Sequence, residues 1–273
     1  MLTNSELLTP KKPDIMIHPL ACVHPGAKIH ETAVIGPFAY IEDNVEIGPR
    51  TEVMANASVM WGARIGADCK VFPSAVVGAI PQDLKFKGEE TLAIIGDRTI
   101  IRECATIHRG TASKGKTIVG NDCLIMAYCH VAHDCVHHNH IIMSNAVQLA
   151  GEVEVDDYAI LGGGSLVHQF THIGAHIMLQ GGTKVTKDIP PYCIAAREPM
   201  QYCGINSVGL NRRGFTKEQI GAIQDTYRIL YSPLYNVSQA LERIEQDLPE
   251  SPERDMILNF VKNSPRGIVR GAL

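Results

Sequence analysis

Branched aliphatic residues recur at every sixth position over most of the chain. A six-residue period fits neither the 3.6-residue repeat of an α-helix nor the two-residue alternation of a half-buried strand. It is typical of a parallel β-helix, in which short strands coil and stack and one residue of each hexapeptide points into a narrow core. A β-sandwich would place its turns at irregular spacings of about 8–12 residues. The pattern therefore predicts a mainly β protein of hexapeptide repeats. The inward positions are Ile17, Val23, Ile29, Ile35, Ile41, Ile47, Val53, Val59, Ile65, Val71 and Val77, then Ile95, Ile101, Ile107, Val119, Ile125 and Val131, and finally Met143, Leu149, Val155, Leu161, Val167, Ile173, Leu179 and Val185.

Glycine directly follows the inward residue in many of these hexads, as in Ile35-Gly36 and Ile47-Gly48. A tightly coiled chain needs sharp corners, and glycine adopts positive φ at little cost. We therefore expect these glycines to supply the left-handed backbone conformation at the corners.

The extent of the period divides the chain into three parts. Residues 1–15 lack it and form a polar N-terminal lead-in, residues 16–205 form the β-helix, and residues 206–273 form a C-terminal α-helical domain. A helical cap of this kind would protect the strand edges of the last coil.

Two segments are expected to interrupt the coils. Residues 81–91 keep the phase of the repeat, but they place Asp83 and Glu89 in inward positions, so we expect a loop excursion there. The polar hexad TASKGK, residues 111–116, is the second irregularity.

The helices of the C-terminal part have recognisable start signals. Thr216 and Gln219 form a capping box ahead of an apolar-periodic segment, and Ser251 followed by Pro252 reads as an N-cap with proline at the first helical position. Residues 238–246 are expected to form a further helix.

Composition and charge exclude several classes of protein. The net charge is −4 with a pI near 6.3, which gives no electrostatic footprint for nucleic acid. No run of about 18 apolar residues and no signal-peptide core are present, so we expect no membrane insertion. The eight cysteines show no CxxC pairing and sit in repeat positions as small fillers. Reduced thiols in a cytoplasmic protein are the simpler interpretation.

The densest chemical signal is the segment CHVAHDC, residues 129–135. Val131 is the inward residue, so His133 and Asp134 are expected to project outward near a corner. A histidine next to a carboxylate has the parts of a general base. Adjacency alone is weak support, because a side chain does not readily face its i+1 neighbour, and an exposed histidine on a coil is the plain alternative.

Further histidines raise a metal-binding alternative. His137, His138 and His140 follow in one group, and His168, His172 and His176 in another. Histidine is a common Zn²⁺ ligand, but no carboxylate stands at a recognisable ligand spacing. His137 occupies an inward position, which the pattern does not explain.

Several motifs together closely resemble the acyl-[acyl carrier protein]–UDP-N-acetylglucosamine O-acyltransferase family. They are PQDLKF, IRECATIHRGT, HVAHDC, LAG, VHQF, GAHIM and GLNRRGF, and with the hexads they cover nearly the whole chain from Ile17 onward. The resemblance implies a left-handed parallel β-helix, an exception to the usual right-handed crossover, and a homotrimer with sites between subunits. It implies no metal and no bound cofactor. The implied reaction, the first step of lipid A synthesis, transfers an (R)-3-hydroxyacyl group from acyl carrier protein to the 3-hydroxyl of UDP-N-acetylglucosamine.

The resemblance also implies roles for individual residues. His133 matches the general base, Asp134 the carboxylate that orients it, and Gly151 the residue whose N–H faces the developing oxyanion. The implied substrate-binding residues are Asp83 and Lys85 at the nucleotide sugar, His130, His168, Gln169 and Gly181 around the sugar and acyl chain, and Asn206, Arg212 and Arg213 at the phosphates and the carrier arm. A plain alternative for the two arginines is that they are solvated cations at a helix start.

Three positions depart from the family pattern. Glu152 stands where a histidine is usual, Val208 where a glutamate is common, and Gln180 breaks a small pair beside Gly181. The preferred acyl length and the identity of the amino sugar therefore stay open.

Three other functions are alternatives to the O-acyl transfer. The sister N-acyltransferase of the same pathway normally carries an extra N-terminal globular domain, and hexads that begin by Ile17 leave no room for one. A zinc-dependent carbonic anhydrase on the same solenoid would need three histidines converging across an interface. A non-enzymatic trimeric rod would have no need of HVAHDC on its surface.

Overall fold

A computed structural model describes residues 16–271, so the expected lead-in, residues 1–15, lies outside the described residues. Most strands are two residues long, because each hexad supplies only a short extended segment before the next corner. In chain order they are β1 (Cys22–Val23), β2 (Lys28–Ile29), β3 (Val34–Ile35), β4 (Tyr40–Ile41), β5 (Glu46–Ile47), β6 (Glu52–Val53), β7 (Ser58–Val59), β8 (Ala63–Ile65), β9 (Lys70–Val71), β10 (Val76–Ala79), β11 (Leu92–Ile95), β12 (Ile100–Ile101), β13 (Thr106–His108), β14 (Lys116–Val119), β15 (Leu124–Ile125), β16 (His130–Val131), β17 (Val136–His137), β18 (Ile142–Met143), β19 (Gln148–Leu149), β20 (Glu154–Val155), β21 (Ile160–Leu161), β22 (Leu166–Val167), β23 (His172–Ile173), β24 (Met178–Leu179), β25 (Lys184–Val185), β26 (Cys193–Ala196) and β27 (Gln201–Ile205).

Every third strand pairs in parallel, which produces three flat sheets wrapped around one core. The first sheet has the order β1-β4-β7-β10-β13-β16-β19-β22-β25, the second β2-β5-β8-β11-β14-β17-β20-β23, and the third β3-β6-β9-β12-β15-β18-β21-β24-β26-β27. Partners such as Ile35 and Val53 are one coil of 18 residues apart. Within residues 16–271, β27 is the only strand that pairs antiparallel, with β26. The predicted mainly β architecture of stacked hexapeptide coils is confirmed.

The strand register locates both irregular segments. Ala63 pairs with Ala93, 30 residues on, because the chain leaves the coils between β10 and β11. Ile95 pairs with Val119, 24 residues on, because residues 111–116 add one hexad that is not a strand repeat.

The core is a stack of the inward residues, nearly all of them inaccessible to solvent. Five cysteines fill core positions, and all eight cysteine thiols are free: Cys69, Cys123, Cys129, Cys135 and Cys193 are the buried ones. His137 stands in the core between Val119 and Val155, and neither ring nitrogen has a hydrogen-bond partner. Burial lowers the pKa of His137 to about 3, so its ring is neutral at pH 7.

The structural reason that the sequence suggested for the repeat glycines holds at Gly78, where φ is 88°, and is wrong for the others. Positive φ falls three positions after the inward residue and is adopted mostly by other residue types, as at Asp134 with φ 59°. Gly48 follows its inward residue for a steric reason, since a Cβ there would lie 2.6 Å from the backbone of Gly66 in the next coil. Close approach of stacked backbones selects these glycines.

The C-terminal residues form α1 (Ser207–Arg212), α2 (Lys217–Leu230), α3 (Val237–Asp247) and α4 (Pro252–Lys262). The capping box of Thr216 and Gln219 starts α2, and Ser251 caps α4, as the sequence predicts. The buried Tyr227 of α2 donates a hydrogen bond to the carbonyl oxygen of Pro191, which ties the helices to the last coils. Among residues 16–271, no helix has the length and apolar character needed to cross a membrane.

Candidate active site

The corner between the first and second sheets carries the densest chemistry, and we call it the His133 corner. Its column holds His133, Gly151 and Gln169, each two positions after an inward residue and one coil apart. Stacked coils are about 4.8 Å apart, so these residues are near neighbours.

His133 contacts Asp134 directly, which the sequence argument considered improbable. Nδ1 of His133 lies 2.9 Å from Oδ2 of Asp134. The left-handed backbone of Asp134 turns its carboxylate back toward the preceding ring. Since the carboxylate accepts a hydrogen bond, it holds the tautomer with a proton on Nδ1, and Nε2 is left as the basic atom.

Asp134 is fully buried, so the expectation that both side chains project outward is wrong for it. The polar hexad 111–116 covers the carboxylate. Asp134 accepts hydrogen bonds from the N–H of Thr111 at 2.9 Å, from the Thr111 hydroxyl at 2.6 Å and from the N–H of Lys114 at 3.2 Å. Its own N–H donates to the Thr117 hydroxyl at 2.8 Å. The inserted hexad therefore fixes the orientation of Asp134, and sequence reasoning missed Thr111.

Gly151 lies directly against the His133 ring. A Cβ built on Gly151 would be 2.5 Å from Cε1 and 2.6 Å from Nε2 of that ring. The N–H of Gly151 has no acceptor among residues 16–271. Nε2 of His133 thus lies beside a residue whose backbone N–H has no partner among the described residues.

Two more histidines extend the site along the first sheet. His130 is anchored through Nδ1, 2.7 Å from the Thr106 hydroxyl, and its ring meets that of His108 edge-on at 4.7 Å. Burial, with the charges of His130 and His133, lowers the pKa of His108 to about 4. Burial and His133 also lower the pKa of His130. Both rings are therefore neutral near pH 7. His108 lies within the IRECATIHRGT motif, but no spacing or neighbour in the sequence distinguishes it.

Arg109, which directly follows β13, contacts the loop excursion at the same edge of the first sheet. The Arg109 guanidinium stacks over Trp61 at 4.9 Å and over Phe86, in the loop, at 5.4 Å. Burial lowers the pKa of Arg109. In this loop Asp83 accepts a hydrogen bond from the N–H of Lys85 at 2.9 Å, and the Lys85 side chain is exposed. Sequence reasoning missed Arg109 as well.

The C-terminal residues of the predicted site lie at a different corner, between the second and third sheets. Asn206 is the N-cap of α1, where Oδ1 accepts from the N–H of Gly209 and Nδ2 donates to the carbonyl oxygen of His176. Arg213 donates to the carbonyl oxygen of Tyr158 at 2.9 Å and lies over its ring at 5.4 Å. Arg212 is exposed. The two arginines stand at the end of α1, so their placement at a helix start is corrected.

The remaining predicted residues divide between two corners. His168 and Gln169 belong to the His133 corner, and Nδ1 of His168 lies 3.2 Å from the guanidinium of Arg266. Gly181 stands at the third corner, between the third and first sheets, beside the carbonyl oxygen of Gly163. One chain therefore brings His130, His133, Gly151, His168 and Gln169 to one corner and leaves the arginines at another.

The three departures from the family pattern are all accessible to solvent. Glu152 follows Gly151 in the left-handed conformation, with φ 60°, and is half-buried. Gln180 is exposed and does not point into the core, and Val208 is exposed on α1.

Comparisons with known proteins agree on one family. A model described as Udp N-acetylglucosamine O-acyltransferase, domain 2, matches residues 188–269, and a model of the bacterial transferase hexapeptide matches residues 26–60. The chain is 48% identical over 259 residues to the acyl-[acyl-carrier-protein]–UDP-N-acetylglucosamine O-acyltransferase of Burkholderia lata, covering 93% of this chain and 99% of that protein.

Solved structures give the same answer. A UDP-N-acetylglucosamine acyltransferase from Bacteroides fragilis is 52% identical with a TM-score of 0.91, covering 93% of this chain and all of the other. The enzyme from Francisella novicida is 42% identical with a TM-score of 0.91, covering 93% and 94%. The fold class is therefore a left-handed parallel β-helix of hexapeptide repeats with C-terminal helices.

Proposed function

The chain belongs to the UDP-N-acetylglucosamine O-acyltransferase family, and from that membership we propose that His133 is the general base of its reaction. The enzyme transfers an acyl group from acyl carrier protein to UDP-N-acetylglucosamine. We assign the acyl group as (R)-3-hydroxyacyl and the acceptor as the 3-hydroxyl of the sugar. The observation that carries the proposal is the contact of His133 with Asp134 at 2.9 Å, with Gly151 against the Cε1 and Nε2 atoms of the ring.

The proposed chemistry is an acyl transfer from a thioester. Nε2 of His133 removes the proton from the sugar hydroxyl as its oxygen attacks the thioester carbonyl carbon. The N–H of Gly151 donates to the carbonyl oxygen as it becomes an oxyanion. The C–S bond then breaks, and the imidazolium returns the proton to the leaving thiolate. Asp134, held by Thr111, stabilises the imidazolium in between.

The neutral neighbours of His133 fit this chemistry. Because burial lowers the pKa values of His108 and His130, neither ring adds a positive charge that would oppose protonation of His133. We propose that His130 contacts the sugar nucleotide, and that Asp83 and Lys85 contact it from the loop excursion. We propose that His133 as base and the Gly151 N–H as donor are sufficient for the reaction, with no metal or cofactor taking part.

We propose a homotrimer whose sites lie between subunits. Arg212 and Arg213 stand across the second sheet from the His133 corner of the same chain, and Arg109 and Arg266 are the arginines beside that corner among the described residues. Phosphate and an acidic carrier protein both favour arginine as a partner. Exposed apolar side chains occur on the loop and near the corner at Leu84, Leu166 and Phe170, which supports contact with another subunit.

The first test is complementation between two inactive variants. One chain carries His133→Ala and the other carries Arg212→Ala with Arg213→Ala, and differently tagged copies are co-expressed and purified by both tags. In a closed head-to-tail ring, a mixed trimer contains one site with an intact histidine and intact arginines, so we expect about one third of the wild-type rate of product formation. The product from UDP-N-acetylglucosamine and a 3-hydroxyacyl carrier protein is measured by mass spectrometry.

Mixed trimers that stay inactive would contradict a shared site, whereas wild-type trimers without product would contradict the assigned substrates. Monomers of about 30 kDa in light scattering would contradict the assembly itself.

We also propose that Gly181 borders the groove for the acyl chain. A small residue at an exposed corner leaves room for an acyl chain close to the backbone, and each methylene accommodated contributes about 0.8 kcal/mol. Gly181→Met is therefore expected to shift the preference toward shorter chains by about tenfold for two methylenes. The measurement is the ranking of kcat/KM over 3-hydroxyacyl carrier proteins of increasing length.

The matched control is Gly221→Met, on α2, where a Cβ meets open space. Melting temperatures are compared for both variants, because a Cβ on Gly181 lies 2.9 Å from the carbonyl oxygen of Gly163. An unchanged ranking in a folded Gly181→Met enzyme would place the groove elsewhere.

We propose that the enzyme works in the cytoplasm. The eight free thiols support a reducing compartment.

A further inference from the structure

The outward face of the second sheet carries a cluster of histidines and carboxylates that the acyl transfer does not use. Each strand of this sheet presents one outward residue before its inward residue and one after it. On β20 these are Glu154 and Asp156, on either side of the inward Val155. His138 follows the inward residue of β17 in the preceding coil, and His172 precedes that of β23 in the next. The register therefore brings four such side chains from three successive coils together.

The distances suit a metal ion. Nε2 of His138 lies 3.5 Å from a carboxylate oxygen of Glu154 and 4.0 Å from one of Asp156. One ligand atom from each of the three residues lies within 4.8 Å of the others. Zinc bonds to nitrogen and oxygen are about 2.0–2.1 Å, so adjacent ligands of a tetrahedral site stand about 3.3 Å apart. Small side-chain rotations would bring the ligand atoms from their present separations of 3.5 and 4.0 Å to the spacing that zinc requires.

The carboxylates of the cluster are paired with histidines, which carry a full positive charge only when protonated. Among residues 16–271, no lysine or arginine pairs with Glu154 or Asp156, and their ion-pair partners are histidines. Some carboxylates elsewhere on the coils have arginine partners, as Asp68 does with Arg50 at 2.6 Å and Asp122 with Arg98 at 2.7 Å. Two adjacent carboxylates repel each other unless a positive charge lies between them.

His172 holds Asp156 in place from the next coil. Its Nε2 lies 3.0 Å from Oδ1 of Asp156, and its ring packs on Phe260 of α4 at 4.4 Å. The backbone N–H of His172 donates to Asp188 at 2.9 Å. Outer-shell contacts of this kind orient the ligands of metal sites.

We propose that His138, Glu154 and Asp156 bind one Zn²⁺ ion per chain, with His172 as the positioning residue and water completing the coordination. Imidazole and carboxylate ligands suit zinc, and three protein ligands leave one position for water. The site spans successive coils on the outward face of the second sheet. Its role is to stabilise the solenoid, and it does not depend on the proposed mechanism of acyl transfer.

The test measures zinc binding and melting temperature of the full-length protein. Protein stripped with EDTA is titrated with ZnCl₂ by calorimetry, and retained zinc is counted by mass spectrometry after desalting. We expect one zinc per chain and a melting temperature several degrees higher, since a ligand that binds the folded state stabilises it. Turnover should stay unchanged after EDTA treatment.

Variants identify the ligands. His138→Gln with Glu154→Gln should abolish the bound zinc and the melting shift, and His172→Gln should weaken affinity by about 10–100-fold. His24→Gln is the control, because His24 and Asp43 form an exposed pair at 3.5 Å elsewhere on the coils. The proposal is overturned if zinc is not retained, or if the double variant retains it with the affinity of the His24→Gln control. Circular dichroism shows whether each variant is folded.

Discussion

His133→Ala is expected to lower kcat by about 10²–10⁴ while leaving the fold and the binding of UDP-N-acetylglucosamine nearly unchanged. The reason is that the two ring nitrogens have different roles. Nδ1 is committed to Asp134 at 2.9 Å, so Nε2 is the atom available to remove a proton. Alanine removes that atom, and because the proton moves only in the transition state, the loss falls on kcat rather than KM. Steady-state kinetics with acyl carrier protein substrates provides the measurement.

The control for this prediction is His24→Ala, an exposed histidine that also pairs with an aspartate but lies far along the coils from His133. It should retain wild-type kcat. A His133→Ala enzyme with near-normal kcat would remove His133 from the mechanism and leave the Asp134 network a purely structural feature.

The fold could be predicted from the hexapeptide series because every coil packs the same kind of aliphatic side chain into the core at the same repeat position. Inward aliphatic residues such as Ile35 and Leu161 directly indicate which positions form the core. The capping box at Thr216 is equally local, and its helix starts where predicted. The reason for Gly48 was misjudged, because contact between stacked backbones is a tertiary property that a period along one chain does not contain.

The contacts within the candidate site could be predicted less completely from the sequence than the fold. Asp134 was expected to point outward, but its burial depends on Thr111, 23 residues earlier, in a hexad that looked like an irregularity. Arg109 is positioned by stacking on Trp61, 48 residues earlier. Such contacts follow from which coil lies beside which, and a corner residue acquires its role from neighbours one coil away. The roles of individual site residues stay predictions.

Gly151→Ala is expected to lower kcat by about 10²–10³, although alanine is an ordinary residue at this position of the repeat. The residue two places after the inward one is alanine in other coils, at Ala55, Ala67 and Ala127. The backbone of Gly151 is not in the left-handed region, so the substitution carries no conformational penalty there. What distinguishes Gly151 is its neighbour, since the new methyl group would lie 2.5 Å from Cε1 and 2.6 Å from Nε2 of His133.

Either way of relieving that contact impairs catalysis. If the His133 ring moves, it loses the 2.9 Å contact with Asp134, and Nε2 leaves the position facing the acceptor hydroxyl. If the backbone of residue 151 moves instead, the proposed oxyanion donor is displaced, and loss of one such donor costs about 10²–10³ in kcat. Gly221→Ala, at an open position on α2, is the control and should keep full activity.

A double-mutant cycle separates the steric effect from a general loss of structure. In the His133→Ala background there is no ring for the new methyl group to strike, so adding Gly151→Ala should lower kcat by much less than it does in the wild-type enzyme. Residues in contact give such non-additive effects, whereas independent damage to the fold would multiply the two losses. If the two losses in kcat multiply, so that their free energies add, Gly151 does not act through its contact with His133. Its role would then be limited to the backbone N–H.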